Sequence, residues 1–577
     1  MKKTLLRRFT AALLCAVSVL QCFSACSPRD TGNNGDTEKP KLPWNAYDIS
    51  NYTVVYGEGA DEKTVRRAKK LSEAISKKLG VTLPVTSDTA AEAEYEILVG
   101  NTNRDLSGTV LESLNASTHE DAFAVEIAYK HIAIIGKTTA TTVRGVEHFI
   151  TNYVAPSEHS SCIDISKGKS VITPFNAVKT VVLSNGTEID VEIVSTVFQV
   201  PSGGTVNVMG HETAVRTSHY PSVIELQHNG ESNGKLIGIF CLGDTPKDGS
   251  RKTASCVVES SDGGETWKVI ARPHETFDPS ITGISMAHIY ELPEQVGDMP
   301  AGTLLYSGNS VDYSRKSHIA IWRSFDCGYT WQEYVIIAEG GGTREGVWEP
   351  LTYYDKNDGY LYCFYSDDSD PAHDQKLVYK RSKDGKNWGE AVEVCAFPET
   401  KDRPGMFIMT PMSASLYFMV YEYFGSKRGD VYYKITNDIS NWSPSSAGSK
   451  LQLPDGYALS GAPSCVWSPA CGKNGILIAS GKHELRGNEI ITHPEGTAEE
   501  ASPKLFISFD NGKSWETADN FLPYNPGNDA LNTNRIGHSP SFFVGADPSV
   551  IYYMNCTDTP ETGRQRIQFA RIRIIEP

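Results

Sequence analysis

Apolar and polar positions along the chain follow two different rhythms. Between residues 48 and 172 both a strand period and a helix period occur. Tyr52-Thr-Val-Val-Tyr56 predicts a strand, and Val65, Ala68, Leu71, Ile75 and Leu79 fall on one face of a helix. Glu96-Ile-Leu-Val99 predicts a second strand, Ala122 to Ala128 with His131 to Ile135 a hairpin, and Thr138 to Tyr153 a second helix. The helical rhythm then stops, and short apolar runs recur in a fixed order instead. The first kind of run includes His219-Tyr-Pro-Ser-Val-Ile224, Ala287-His-Ile-Tyr-Glu-Leu292 and Trp348-Glu-Pro-Leu-Thr-Tyr353. It continues with Gly405-Met-Phe-Ile-Met409, Ala462-Pro-Ser-Cys-Val-Trp467 and Ser539-Pro-Ser-Phe-Phe543. Each is followed by a second strand: Lys235 to Phe240, Thr303 to Ser307, Tyr360 to Tyr365, Leu416 to Tyr423, Ile476 to Ala479 and Val550 to Met554.

The third kind of segment ends in a turn of fixed composition. Ser260, Asp262, Gly264, Thr266 and Trp267 set the pattern. Ser324, Asp326, Gly328, Thr330 and Trp331 repeat it, as do Ser508, Asp510, Gly512, Ser514 and Trp515. Ser382-Asp384-Asn387-Trp388 and Thr436-Asp438-Asn441-Trp442 are one residue shorter. An aspartate can bond backbone N–H groups inside such a turn, glycine relieves its backbone, and tryptophan packs outward between sheets. These turns resemble the Asp-boxes of sialidase-like propellers. The repeat and the resemblance together imply a mainly β protein, a six-bladed sialidase-type β-propeller preceded by a small α/β domain. The late strand of the last blade is Arg566 to Arg573, and Lys179 to Val200 is expected to complete that blade and close the ring. In the α/β region, the segment Glu96 to Arg104 resembles the small domain that precedes the catalytic domain of family 20 hexosaminidases, which implies an accessory role.

The start of the chain reads as an address. Lys2, Lys3, Arg7 and Arg8 precede the apolar run Phe9 to Leu20, as in a signal peptide. Phe23-Ser-Ala-Cys26 resembles a bacterial lipobox, which implies lipidation of Cys26 and attachment to the outer side of a cell membrane through that lipid alone; the alternative is an ordinary secretory peptide with a chance cysteine, and a secreted chain. The expected organisation is a signal peptide over 1–26, a flexible tether over 27–47, the α/β domain over 48–175 and the propeller over 176–577. A net charge of -16 argues against nucleic acid as a partner. No C-x-x-C pair or Cys/His cluster at metal spacing occurs. No metal or cofactor is therefore expected, most of the remaining cysteines are expected to be buried thiols, and the chain is expected to be a monomer.

Function must be sought at the mouth of the propeller, since a fold does not name a reaction. First strands start there and second strands end there. The starts supply His219, Tyr220, His288, Trp348, Glu349, Arg403 and His538, and the ends supply Asp367, Asp368 and Glu422. Two carboxylates from adjacent blades suit glycoside hydrolysis, one attacking or stabilising the anomeric carbon and the other protonating the leaving oxygen. The series Gly346-Val-Trp-Glu-Pro350, Tyr365-Ser-Asp-Asp368, Asp374-Gln-Lys376, Arg403-Pro-Gly-Met406 and Tyr421-Glu422 resembles glycoside hydrolase family 93. That resemblance implies retaining, exo-acting release of arabinobiose from α-1,5-arabinan, with Glu349 as nucleophile and Glu422 as acid/base. Trp348, Asp368, Gln375, Arg403, His219, His288, Tyr365 and Arg535 are the expected substrate-binding residues. Family members tend to carry Glu where Asp368 stands. Arg344 or Arg403 is expected to keep Glu349 ionised, and partial burial to keep Glu422 protonated. The alternatives are an exo-sialidase and a non-catalytic glycan-binding propeller. Sialidases hold the substrate carboxylate with three arginines, and the first of these is replaced here by His219-Tyr220-Pro221.

Overall fold

The computed structural model describes residues 42–116, 122–174, 178–244, 252–281, 283–413, 415–493, 496–527, 535–558 and 564–575. The signal segment, Cys26 with its expected lipid, and most of the tether lie outside the described residues. The chain divides into two compact units, 1–173 and 174–577.

The first unit is built on a six-stranded sheet with the order Val85–Ser87, Thr53–Tyr56, Glu96–Val99, His131–Gly136, Ala122–Ile127, Ser170–Pro174. The hairpin Ala122–Ile127/His131–Gly136 is antiparallel, and the pairings among the first four strands are parallel. Helix Glu62–Leu79 buries Ala68, Leu71, Ile75 and Leu79, the stripe its apolar spacing defines. The expected second helix is divided: Thr139–Phe149 is α-helical and Ile150–Val154 is a π-helical turn. A further helix, Asp105–Ala116, was not foreseen. Its buried Val110 and Leu114 are spaced as a helix requires, but Ser107, Gly108 and Thr109 dilute the signal. Glu96 and Arg104 form a buried, two-pronged ion pair at 2.8 and 3.1 Å, so this stretch serves packing within the unit.

The second unit is mainly β, in a β-propeller arrangement. Five blades, rather than the expected six, are built without strands from the start of the unit, and the fourth and fifth interleave along the chain. Three are plain four-stranded meanders, Thr217–Glu225 to Lys268–Ala271, Gly283–Glu291 to Gln332–Gly341, and Val347–Asp355 to Val392–Cys395. The fourth starts at Arg403–Ser413 and is extended by the strands Tyr457–Ser460, His483–Arg486 and Glu489–Ile491. The fifth runs from Ser464–Ser468 to Glu516–Ala518. The remaining sheet is composite. Ser541–Val544, Val550–Asp558 and Gln565–Ile575 continue into Glu188–Gln199 and Val178–Val182 from the start of the unit. Strand Ser541–Val544 touches Thr217–Glu225, which closes the ring of innermost strands.

The Asp-box turns hold the outer ends of the blades. In the first, Thr266 donates to Asp262 through N–H at 2.9 Å and through its hydroxyl at 2.5 Å. Ser260 donates to the same carboxylate at 2.7 Å, and Trp267 Nε1 donates to the Gly264 carbonyl at 3.1 Å. Gly264 sits at φ 95°, and a Cβ there would collide with the Phe569 ring. Asp326 and Asp510 repeat the carboxylate bonds. All nine cysteines of the described residues are free, and seven are buried.

Candidate active site

The innermost strands carry a repeated backbone device. Tyr220, Met286, Glu349, Met406, Ala462 and Ser539 all have positive φ, between 42° and 57°. They occupy equivalent places, at the third or fourth residue of the first four innermost strands and two residues before the last two. Four of the six coincide with a bulge in the pairing with the second strand, for example between Trp348 and Leu351. Left-handed backbone costs a non-glycine residue roughly 1–2 kcal/mol. Here it turns the side chain out of the strand's alternation, as bulges do. Tyr220, Glu349, Ala462 and Ser539 are each followed by proline, which disfavours the right-handed helical alternative. Beyond these residues the innermost strands enclose an axial cavity of about 620 Å³, lined by Ile224, Tyr290, Tyr353, Trp467 and Phe542 among others.

Glu349 stands on the third of these turns. Ser366 Oγ donates to its Oε2 at 2.8 Å, and Tyr220 Oη donates to its Oε1 at 3.3 Å. The Met406 N–H donates to Ser366 Oγ at 3.3 Å. The serine's hydroxyl hydrogen is thereby left for Glu349, so both carboxylate oxygens are acceptors. Glu422, near the end of strand Leu416–Phe424, is held differently. Its Oε2 accepts from Ala462 N–H at 2.7 Å, in a left-handed turn formed by Gly461 (φ 74°) and Ala462 (φ 42°). A Cβ on Gly461 would lie 3.9 Å from that oxygen.

Both carboxylates are half-buried, open towards solvent on one side and enclosed elsewhere. Glu349 is raised to about 7, by burial first and then by the charges of Glu422 and Asp368, against the two hydroxyl donors. Glu422 is raised to about 6, again by burial first, while the Ala462 N–H and the charges of Lys482, Arg403 and Arg535 pull it down. This corrects two expectations. Glu349, the expected ionised nucleophile, is raised further than Glu422, the expected protonated acid, so a proton shared by the pair rests more on Glu349 than on Glu422. The cations act on Glu422, not on Glu349, and Arg344 is exposed in a turn with no hydrogen bond to either glutamate. Tyr220 is raised well above its usual value by burial and by Glu349, so it remains a donor.

The other expected binding residues divide into those the pair gathers and those it does not. Trp348 is buried, stacks on Tyr313 with ring centres 6.0 Å apart, and donates from Nε1 to Asp368 Oδ2 at 3.1 Å. Arg403 Nη2 meets the same oxygen at 3.1 Å, and its Nη1 donates to the Asp374 carbonyl at 3.1 Å. Burial raises Asp368, with Arg403 offsetting it. Gln375 lies against the backbone of Gly405, where a Cβ would come 3.1 Å from its Nε2. Arg535 sits 2.5 Å from His538 Nε2, and its charge with burial keeps His538 and His219 well below the usual histidine value. His219 packs edge-on against Tyr220. His288 lies two residues past Met286 and lines the axial cavity, with Nδ1 accepting from Thr352 N–H at 3.4 Å and a value lowered to about 4 by burial. Tyr365 does not reach the site. It is 2% exposed in the apolar core between the second and third blades, packed with Ile337, Val347 and Val378. The groups that sequence reasoning left out are Ser366, Lys482 and the bond from Tyr220.

No protein-family model matches the chain, and no curated protein does. Solved structures do match, and glycoside hydrolases are among them. One is the family 93 α-L-arabinofuranosidase of Fusarium graminearum with arabinobiose, at 25% identity over 66% of this chain and 96% of that one, with a TM-score of 0.52. Another is the α-L-arabinanase of Penicillium chrysogenum complexed with arabinobiose, at 26% identity over 68% of this chain and 98% of that one, with the same TM-score of 0.52.

Proposed function

We propose that the protein is a retaining, exo-acting glycoside hydrolase that releases arabinobiose from α-1,5-linked arabinan, with Glu349 as nucleophile and Glu422 as acid/base. The observation that carries this reading is the unequal bonding of two neighbouring glutamates. Glu349 has a donor on each oxygen, which suits an attacking carboxylate. Among the described residues only Oε2 of Glu422 is engaged, by a backbone N–H, which leaves Oε1 to hand a proton to the leaving oxygen and later to activate water. Likeness to two arabinobiose complexes supports the substrate. Trp348 beside the pair offers an apolar face for a sugar ring, and Asp368, Arg403 and Gln375 offer polar groups for its hydroxyls. We read the composite sheet as the sixth blade and the first unit as an accessory module.

The experiment is product analysis on linear arabinan and on sialosides, run with the wild type and both glutamate variants. Arabinobiose with retained configuration is expected, with no sialic acid released. For Glu422→Ala on an activated aryl glycoside, added azide should restore turnover with retention, because azide attacks the glycosyl-enzyme without a base. Azide rescue of Glu349→Ala with inverted product would agree with this assignment, whereas rescue of Glu349→Ala with retention and of Glu422→Ala with inversion would exchange the two roles. Sialic acid release, or inertness on arabinan alongside turnover of another glycan, would remove the substrate reading.

A further inference from the structure

A second buried polar cluster lies in the blade Gly283–Gly341, apart from the glutamate pair. His318 comes from strand Lys316–Ser324, Glu333 from strand Gln332–Gly341, and Glu275 from the segment leading into the blade. One carboxylate oxygen of each glutamate and one ring nitrogen of His318 lie within 4.8 Å of one another. The His318 and Glu275 side chains are 7% and 3% exposed, and they meet at 2.9 Å. Glu333 Oε2 accepts from the Thr276 N–H, the Thr276 hydroxyl and the Phe277 N–H. Glu333 Oε1 is also buried but has no hydrogen-bond partner. The hydroxyl of Ser310, wholly buried and opposite His318 in the strand register, faces Glu275 and favours its ionised form. Among the described residues no lysine or arginine pairs with Glu275 or Glu333. Two buried carboxylates thus face one imidazole, and an uncompensated buried charge is costly.

We propose that Glu275, His318 and Glu333 bind one divalent first-row metal ion, zinc or manganese. One imidazole and two carboxylates are a donor set these ions accept. The ion would supply the missing positive charge and give Glu333 Oε1 the partner it lacks, while Ser310 could hold a water completing the shell. Ligand atoms about 2.0–2.2 Å from a common centre lie about 3.3–3.6 Å apart in a tetrahedron, so closure draws these side chains inward by at most about 1.5 Å between any two. The ion would tie the segment around Glu275 to its blade. That blade in turn holds the strand bearing Glu349: Val347 N–H donates to Ser317 Oγ at 3.0 Å, and Asn309 Nδ2 donates to the Val347 carbonyl at 2.6 Å. The proposal does not depend on the glycosidase reading.

The test strips the full chain with a chelator, dialyses it against zinc or manganese chloride, and measures bound metal by mass spectrometry together with thermal melting. One retained equivalent per chain is expected for one of the two ions, with a rise in Tm on the order of 2–5 °C. Both should vanish in Glu333→Gln and in His318→Gln, with Glu275→Gln as the replacement if either fails to fold by circular dichroism. No retained metal in the wild type, or equal retention and equal Tm shifts in the variants, would overturn the proposal and leave Glu333 as a buried protonated acid.

Discussion

At the scale of single residues, Glu349 and Glu422 behave as a pair that shares a proton. Their values of about 7 and about 6 belong to the two together, since each charge opposes the other. Below about 6 both carboxylates hold protons and no nucleophile remains. Above about 7 both are ionised and no acid remains. A pH profile of kcat/KM should therefore be bell-shaped with a mildly acidic maximum, and a plateau extending past pH 9 would refute the pairing. Ser366 tunes this balance. Its hydroxyl favours the ionised form of Glu349, so Ser366→Ala should raise that carboxylate's pKa, move the alkaline limb to higher pH, and leave less of the singly protonated pair in the form with Glu349 ionised. A hydrogen bond to a charged group is worth about 1.5–3 kcal/mol, so kcat/KM should fall about tenfold or more. An unchanged profile would reduce Ser366 to packing. Both glutamates were legible in the sequence as strand-end carboxylates, and Ser366 was within reach by the same logic. Neighbours along a strand face opposite ways. Within the run Tyr365-Ser366, the serine that reaches Glu349 obliges the tyrosine to enter the core between blades. The positive field on Glu422 was less accessible, because Lys482, Arg403 and Arg535 lie far apart in the chain and only the ring brings them together.

At the scale of elements, the repeated turn was the most legible feature, because its bonds are local. Asp262, Thr266 and Ser260 satisfy one another within seven residues, so composition alone specifies the turn. Burial works to raise Asp262, but the Thr266 hydroxyl and N–H and the Ser260 hydroxyl outweigh it and lower the value. A lowered carboxylate contributes stability above its unfolded value and loses it as pH falls through the folded one. This contribution should therefore be intact at neutral pH and fade below about pH 4. Asp262→Ala should cost about 1–2 kcal/mol at neutral pH, read as a lower Tm, with kcat unchanged. A loss of activity without a loss of stability would place the turn in the chemistry after all. The bulges of the innermost strands were less legible. Their mark in the sequence is the proline after Tyr220, Glu349, Ala462 and Ser539, but Met286 and Met406 adopt the same backbone without it. The rule is set by crowding around the axis, which no single strand encodes. The helix Asp105–Ala116 was missed for another reason, its weak formers being stabilised by packing of Val110 and Leu114 on the sheet.

At the scale of the whole molecule, the ring is held shut by one long seam. Glu188–Gln199 pairs antiparallel with Gln565–Ile575, from Glu188 opposite Ile575 to Gln199 opposite Arg566. Across the seam Arg571 meets Glu192 at 2.8 Å, and Ile189, Val191, Ile572 and Ile574 share one apolar core. The turn of the first Asp-box also rests on it, because Ser195 Oγ donates to the Gly264 carbonyl at 2.6 Å and accepts from Trp267 Nε1 at 3.0 Å. Residues 178–199 thus belong to the second unit, although they precede its first full blade. A fragment of residues 174–577 should fold and keep the hydrolytic activity of the full chain, since the seam is complete within it. A fragment of residues 203–577 retains both glutamates and every residue bonded to them, yet it should fail. It leaves Gln565–Ile575 with an unpaired edge and uncovers the apolar face shared with Ile189 and Val191, which is a template for aggregation. The comparison is made by size-exclusion chromatography, melting and arabinan hydrolysis on both fragments. If the shorter fragment is monomeric, melts cooperatively and turns over substrate, the seam is dispensable and the ring closes by the innermost strands alone. If the longer fragment is folded but inactive, the first unit contributes to catalysis and is more than an accessory.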